Sequence, residues 1–278
     1  MPNKFKATWL SHSSIGSYKK CPLAYYYGNV YKNPETNRKI SVVSPFMTLG
    51  VAVHDVIEPL AWLPKEERFN QDLEQQFLDG FDKYKGHLGG FRDLDQFEEF
   101  KRKGVKMISN VIDNPGPISR PALRLLPSRS ELPWIWLDED EELIISGKTD
   151  WLEYVEKNKT VNIIDFKTGA KEEDANSLQF KIYQLLMREL KPKFALGKAY
   201  YWYLAFKNEP SEKELPDINT AKDEILKYGL QIKEARAAKN FKCKYGSCRN
   251  CEPYLKVING EAEFVGIGGY GSESYYLN

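Results

Sequence analysis

The sequence predicts a mixed α/β fold in one domain that carries a helical insertion. Apolar residues recur at helical spacing up to about residue 113, strand-like composition follows between residues 131 and 167, and a helix, a strand and a helix come after that. A chain of 278 residues with 42% apolar side chains can bury a sizeable core. Helices that flank a run of strands indicate a layered α/β or α+β arrangement.

The first part of the chain, residues 11–63, is expected to be helical. Ser11 to Ser14 offers N-caps for a short helix carrying Ile15 and Tyr18, and this helix ends where Cys21-Pro22 restricts the backbone. A second helix is predicted from Met47 to Leu63. Residues 64–130 are expected to form the insertion, with helices over about 66–85 and 94–113.

Residues 131–206 are predicted to form the sheet core, because the composition turns to Ile, Val, Trp and Tyr. Four successive antiparallel strands are expected: Glu131–Leu137, Glu142–Gly147, Thr149–Val155 and Thr160–Lys167. A helix from Asn176 to Leu190 and a strand over 196–206 follow. Residues 207–256 hold a predicted helix, Thr220–Lys239, and a Cys-rich region, while residues 257–278 are expected to form a loosely held tail.

The overall charge is nearly balanced, with 40 basic and 39 acidic residues, which argues against a histone-like binder or an acidic disordered chain. The balance hides two basic blocks: residues 1–40 hold seven Lys and Arg against one acid, and residues 222–256 hold nine against four. Together the blocks favour a phosphate-facing surface, although each alone is usually a solvated face. No stretch reaches 18 apolar residues and no apolar segment follows the N-terminus, so a cytoplasmic protein without a membrane span is expected.

Asp165 and Lys167 end an apolar predicted strand and, because strand side chains alternate, point to the same face. A carboxylate that holds a hard cation beside a Lys that acts on the attacking water suits metal-assisted hydrolysis. Asp150, near the start of the preceding strand, could converge with Asp165 in a hairpin. Taken singly, the pair could be a surface ion pair and Asp150 a turn residue.

Three further residues join this group on weaker grounds. His54 lies among apolar residues and could be a core histidine, but beside two carboxylates it suits Mn²⁺ or Mg²⁺. Gln179 and Tyr183 are four residues apart on a predicted helix, so they share a face and both can hydrogen-bond a phosphate. A core position for Tyr183 is the alternative.

The four cysteines suggest a metal site more than disulfides, since the chain is long and lacks an export signal. Cys243, Cys248 and Cys251 are separated by four and two residues, a spacing that can wrap a tetrahedral metal or a cluster. Cys21 is over 200 residues away. Unconnected thiols, or a zinc loop completed by a nearby group, stay open.

The order of short motifs resembles the RecB-like PD-(D/E)XK nucleases. The matching stretches are Gly50 to His54, Gly147 to Asp150, Asp165 to Gly169, Gln179 to Tyr183 and the opening segment Ser13 to Pro22. The resemblance implies a restriction-endonuclease-like core with a central mixed sheet and a Mg²⁺ or Mn²⁺ ion. It further implies metal ligation by His54, Asp150, Asp165 and the Phe166 carbonyl. Lys167 would be catalytic, and Gln179 and Tyr183 would help position DNA.

The cysteine layout is similar to that of an iron–sulfur subgroup, which includes CRISPR-associated RecB-like nucleases and the AddB subunit. In that subgroup one early Cys beside a Pro joins three late ones, as Cys21-Pro22 and the late trio would here. The implied cofactor is a 4Fe–4S cluster, with Zn²⁺ as the alternative.

The implied activity is DNA exonuclease action on single strands or ends, in recombination, repair, phage DNA processing or CRISPR adaptation, with a recombination, replication or CRISPR-adaptation protein as a partner. The alternatives are a DNA-end-binding assembly subunit and a zinc-stapled structural protein.

Overall fold

A computed structural model describes residues 2–128, 130–174 and 177–278 of the chain. Within these ranges the α-helices are α1 (His12–Lys20), α2 (Pro22–Tyr25), α3 (Pro45–Ile57), α4 (Leu73–Phe81), α5 (Leu94–Asp113), α6 (Gln179–Leu190), α7 (Ile218–Ala237) and α8 (Glu252–Ile258). The β-strands are β1 (Thr8–Leu10), β2 (Ile40–Val42), β3 (Ala122–Leu123), β4 (Trp134–Asp138), β5 (Leu143–Ser146), β6 (Trp151–Val155), β7 (Thr160–Lys167), β8 (Ala195–Tyr203), β9 (Ser211–Lys213), β10 (Glu263–Ile267) and β11 (Glu273–Tyr276). The mixed α/β prediction is confirmed.

A five-stranded mixed sheet in the order β3-β6-β7-β8-β9 forms the centre of the molecule. β7 pairs antiparallel with β6 and parallel with β8, so it is hydrogen-bonded on both edges. Both faces of β7 are also covered, which accounts for its unbroken buried run from Val161 to Phe166.

The expectation of four successive antiparallel strands is wrong in its pairing. β4 and β5 pair with each other, and β6 and β7 pair with each other, but the two hairpins belong to different sheets. The chain leaves the first hairpin through residues 147–150, and the other edge of β5 is filled by β1, which pairs parallel to it. β1 was not predicted from the sequence, because three residues give no usable periodicity.

Two apolar cores cover the two faces of β7. Ile163 belongs to a core shared with α6 and α7, whereas Ile164 and Phe166 belong to a core shared with α3, α4 and α5. The segment 64–130 thus shares a core with the sheet, and of its predicted helices 94–113 is confirmed while 66–85 shortens to α4 with adjoining turns. None of the helices within the described ranges is both long and apolar enough to cross a membrane.

The end of the chain is ordered, so the prediction of a loosely held tail is wrong. β10 and β11 pair antiparallel, and β11 pairs parallel with β2, so residues from both ends of the chain share one sheet. Glu273, Ser274 and Tyr276 are buried there. The predicted helix start at Asn176 lies outside the described residues, and α6 begins at Gln179.

Candidate active site

β7 carries the centre of the site, because its alternation separates two kinds of side chain. Phe166 points into the core shared with α3, whereas Asp165 and Lys167 share the opposite face, as predicted. Lys167 Nζ lies 2.7 Å from Asp165 Oδ1. That contact lacks hydrogen-bond geometry, so Oδ1 is a buried oxygen with unused acceptor capacity.

Asp150 meets Asp165 through the register of the hairpin. Trp151 is opposite Ile164, so the residues before and after them become cross-strand neighbours. Asp150 Oδ2 accepts a hydrogen bond of 2.8 Å from the Phe166 backbone N–H. Burial raises the pKa of Asp150 well above its ordinary value, and the nearby charge of Asp165 raises it further. The convergence expected from the sequence is therefore present.

His54 reaches the same place from the last turn of α3. Its Nε2 lies 3.2 Å from the Phe166 carbonyl oxygen, and its Nδ1 lies 3.0 Å from Glu58 Oε1 and 3.6 Å from Asp150 Oδ2. Burial alone would lower the pKa of His54, but the charges of Asp150 and Glu58 outweigh burial and raise this pKa to about 9. The carboxylates around His54 thus favour positive charge at this place.

Gln179 and Tyr183 turn inward from the first turns of α6. Gln179 donates a hydrogen bond of 2.5 Å from Nε2 to Asp165 Oδ2, and its Oε1 accepts one of 2.7 Å from Lys167 Nζ. Tyr183 Oη accepts a hydrogen bond of 3.0 Å from Gln179 Nε2. Both side chains are buried and orient Asp165 and Lys167. Direct contact of these two residues with DNA stays a prediction.

Four residues at the site were given no role by sequence reasoning: His12, Glu58, Lys148 and Glu173. Glu58 follows His54 by four residues, a spacing that could have found it, but it lies just beyond the end of α3 in a 3₁₀ turn. Lys148 Nζ lies 2.5 Å from Glu58 Oε2, and Glu173 Oε2 lies 3.6 Å from Lys167 Nζ. His12 and Glu173 reach the site only through the tertiary fold, so no motif marks them.

The donors fit a hard divalent cation. Two buried carboxylates, a backbone carbonyl and an imidazole are the oxygen and nitrogen ligands that Mg²⁺ and Mn²⁺ accept. Ligand atoms of His54, Glu58 and Asp150 all lie within 4.8 Å of one another. Burial raises the pKa of Asp165 even though the Lys167 ammonium opposes this. Asp165 Oδ1, buried and held by the ion pair with Lys167, offers an acceptor beside the other donors that a cation would share with Lys167.

The four cysteines form a second site, at the start of α2 and in the segment before α8. Ligand atoms of Cys21, Cys243, Cys248 and Cys251 all lie within 4.8 Å of one another, and all four thiols are free. Burial raises the pKa of Cys21 to about 12, whereas backbone N–H groups of Asn250 and Cys251 lower that of Cys248 to about 6. Four converging thiols fit Zn²⁺ or a 4Fe–4S cluster equally well.

A depression of about 970 Å³ is lined by residues that neighbour the two sites. Its lining includes His12 and Glu173 beside Lys167, and Arg249, which lies between Cys248 and Cys251. Lys19 and Lys20 of the first basic block line it as well, together with the acids Glu173 and Asp174, so basic residues from both blocks lie along one surface of mixed charge. The three basic side chains favour contacts with phosphate.

One comparison with known proteins bears on this geometry. The sequence model of the PD-(D/E)XK nuclease superfamily matches residues 9–254, which include both sites and the sheet between them. The chain belongs to that superfamily, whose members are generally metal-dependent nucleases.

Proposed function

We propose that this member of the PD-(D/E)XK superfamily is a metal-dependent deoxyribonuclease. The observation that carries the proposal is the convergence of Asp150, Asp165 and Lys167 at neighbouring ends of β6 and β7, beside His54. His54, Asp150, Asp165 and the Phe166 carbonyl would hold Mg²⁺ or Mn²⁺. The bound ion supplies a more acidic water and offsets charge on the phosphate.

Lys167 is the catalytic residue in this proposal. The side chain is held by Gln179 Oε1 at 2.7 Å and lies near Asp165, whose charge raises the pKa of Lys167 despite its burial. The charge of Asp165 therefore favours the ammonium form of Lys167, which donates hydrogen bonds. Its proposed role is to orient the attacking water and to stabilise negative charge that develops on the phosphate.

DNA would approach along this depression. Lys19, Lys20 and Arg249 line it and would contact phosphates, and Glu173 of its lining lies 3.6 Å from Lys167 Nζ. A single strand or an unpaired end, with exonuclease action, is the substrate that the RecB-like motif order favours. The settings we propose are recombination, repair, phage DNA processing or CRISPR adaptation, with a protein partner from one of these pathways.

The cysteine site supports placement in the iron–sulfur subgroup, with the four thiolates holding a 4Fe–4S cluster. One early and three late cysteines converge on one point, which is the layout of that subgroup. Anaerobically purified protein should then be brown. If the purified protein is colourless and binds one zinc ion, the cofactor is Zn²⁺ and not a 4Fe–4S cluster. The proposal that the four cysteines join the two ends of the chain would still stand.

The test of the nuclease proposal is cleavage of end-labelled linear and circular single-stranded DNA, with Mn²⁺, with Mg²⁺ and with chelator. We expect metal-dependent loss of the linear substrate and survival of the circle. Asp150→Ala and Asp165→Ala should each remove cleavage and weaken Mn²⁺ binding in calorimetry, whereas Glu156→Ala, in the exposed turn between β6 and β7, should do neither. Mn²⁺ affinity unchanged in both Asp variants would refute the metal site, and cleavage of the circle would refute exonuclease action.

A further inference from the structure

A chain of three side chains ends at the proposed metal ligand His54. Lys148 Nζ lies 2.5 Å from Glu58 Oε2, and the other oxygen, Glu58 Oε1, lies 3.0 Å from His54 Nδ1. On the far side of the ring, His54 Nε2 faces the Phe166 carbonyl oxygen at 3.2 Å. The Glu58 side chain is only 17% exposed and Lys148 is 57% exposed, so water competes less for the contact of Glu58 with His54 than for its contact with Lys148.

The contacts decide which ring nitrogen can bind a cation. A neutral imidazole has one N–H and one lone pair. Because an ionised Glu58 only accepts, the N–H belongs on Nδ1 and the lone pair on Nε2. That lone pair then faces another acceptor, the Phe166 carbonyl, and the two repel unless a proton or a cation is shared between them. In the protonated ring Nε2 donates to that carbonyl, and a cation that binds Nε2 and the carbonyl oxygen together would take the place of the proton.

Glu58 also lies close enough to be a ligand itself, since its oxygen is within 4.8 Å of ligand atoms of His54 and Asp150. Both oxygens of Glu58 have partners, Lys148 Nζ at 2.5 Å from Oε2 and His54 Nδ1 at 3.0 Å from Oε1. Glu58 is therefore placed to hold the ring as well as to bind a cation, and the Lys148→Met variant distinguishes the two roles. A carboxylate bonded to the non-ligating nitrogen of a metal-binding His is a recurrent arrangement that fixes ring orientation.

We propose that Glu58 is a positioning residue that fixes His54 with Nε2 directed to the metal, and that Lys148 holds Glu58 in place. The inference rests on the proposed function, because it needs a divalent cation at His54. It gives the segment Gly147 to Asp150 two tasks. Asp150 binds the metal, and Lys148, two residues earlier, anchors the group that orients His54.

The test is the sign of the change in Mn²⁺ affinity in Lys148→Met, measured by calorimetry on the whole chain. Removing a nearby cation strengthens Mn²⁺ binding if Lys148 acts only through its charge, or if Glu58 is itself a ligand. The positioning role predicts the opposite, weaker binding, because Glu58 loses its anchor. Lys157→Met, in the exposed turn at the other end of β6, is the control and should leave the affinity unchanged.

A double-mutant comparison asks whether Lys148 acts through Glu58. Glu58→Ala should weaken Mn²⁺ binding roughly 10–100-fold, and adding Lys148→Met to it should cause no further loss. Stronger or unchanged binding in Lys148→Met, or an equal loss in both backgrounds, would overturn the positioning role. Mn²⁺ binding by the wild-type protein and by Asp165→Ala is measured alongside. If the wild type does not bind Mn²⁺, or binds it no better than Asp165→Ala does, the proposed function fails. If the wild type binds Mn²⁺ through Asp165 and Lys148→Met binds it no more weakly, only this inference fails.

Discussion

The carboxylate site and the cysteine site are built in different ways. At the first, Asp150, Asp165 and Lys167 already have partners at 2.5–2.8 Å from the sheet and α6. At the second, the thiols of Cys248 and Cys251 are 3.8 Å apart and only weak contacts link the group. The first arrangement is set by hydrogen bonds of the fold around it, whereas in the second the thiols of segments from the two ends of the chain converge through looser sulfur contacts.

Ionisation sharpens the difference. Thiols bind metal as thiolates, so loading the cysteine site must remove protons, including the one on Cys21, whose pKa burial raises to about 12. The four residues also form a small cluster with Ala24 and neighbouring apolar side chains. Loss of the first site should therefore reduce chemistry, and loss of the second should reduce stability.

The largest expected effect is on cleavage, in Lys167→Ala. The variant loses the ammonium that would stabilise the transition state, so cleavage should fall by at least about 100-fold. Asp165 keeps Gln179 as a hydrogen-bond partner, so folding and DNA binding should stay largely intact. Single-turnover cleavage, fluorescence anisotropy and thermal unfolding measure the three properties.

Lys198→Ala is the matched control, because Lys198 lies on the neighbouring strand β8 with an exposed side chain. It should cleave like wild type. If Lys167→Ala also cleaves DNA at the wild-type rate, Lys167 is not catalytic. The proposal that the carboxylate site serves the chemistry would then be wrong.

The second prediction is a loss of stability without a loss of Mn²⁺ binding, in Cys21→Ala. A link between Cys21 and the late cysteines closes a loop of over 200 residues. A covalent crosslink across a loop of that length stabilises the folded state by on the order of 5 kcal/mol. The variant should lose the metal of the cysteine site and much of its resistance to thermal unfolding. Protein that stays folded should bind Mn²⁺ as wild type does.

The control for this variant is Leu23→Ala, which trims the same apolar cluster but removes no ligand. It should keep the metal and unfold at a temperature between those of wild type and Cys21→Ala. A Cys21→Ala protein that keeps its metal and unfolds like wild type would show that the cysteine site does not join the chain ends.

The parts of the fold that local pattern specifies were predictable. β7 has the predicted bounds Thr160–Lys167, and α5 has the predicted span 94–113, because each has a long run of one periodicity. The convergence of Asp150 with Asp165 was predictable too, since a hairpin fixes its own register. Their proposed roles as ligands stay predictions until metal binding is measured.

What sequence reasoning missed depends on partners far along the chain. β1 pairs parallel with β5, and β11 pairs parallel with β2 as well as with the adjacent β10. Parallel pairing between such distant segments leaves no local signal. Glu58 was missed for a different reason. Its spacing from His54 is visible in the sequence, but its contact with Lys148, which suggests its role, is not.

The smallest expected effect tests whether the chain ends are also joined without metal, through β2 and β11. Buried Glu273 on β11 accepts hydrogen bonds from Asn33 Nδ2 at 2.9 Å and from Tyr275 Oη at 3.0 Å. Burial alone would raise the pKa of Glu273, but hydrogen bonds, including one from Thr36, outweigh it and lower this pKa. A lowered folded-state pKa means that the charged form stabilises the fold.

Glu273→Gln should therefore cost about 1–2 kcal/mol of unfolding free energy at neutral pH. That stabilisation is fully present above the unfolded-state pKa of about 4.3 and is lost as the pH falls through the lower folded-state value. In urea unfolding, the gap between wild type and Glu273→Gln should be constant from neutral pH down to about pH 5 and shrink below about pH 4. If the difference in unfolding free energy between wild type and Glu273→Gln is the same at neutral pH and below pH 4, the charge of Glu273 contributes nothing to stability.

The double variant tests whether the sheet and the cysteine site join the chain ends independently. If they do, the losses of unfolding free energy in Glu273→Gln and Cys21→Ala should add. A combined loss larger than their sum would show that each connection compensates for the absence of the other.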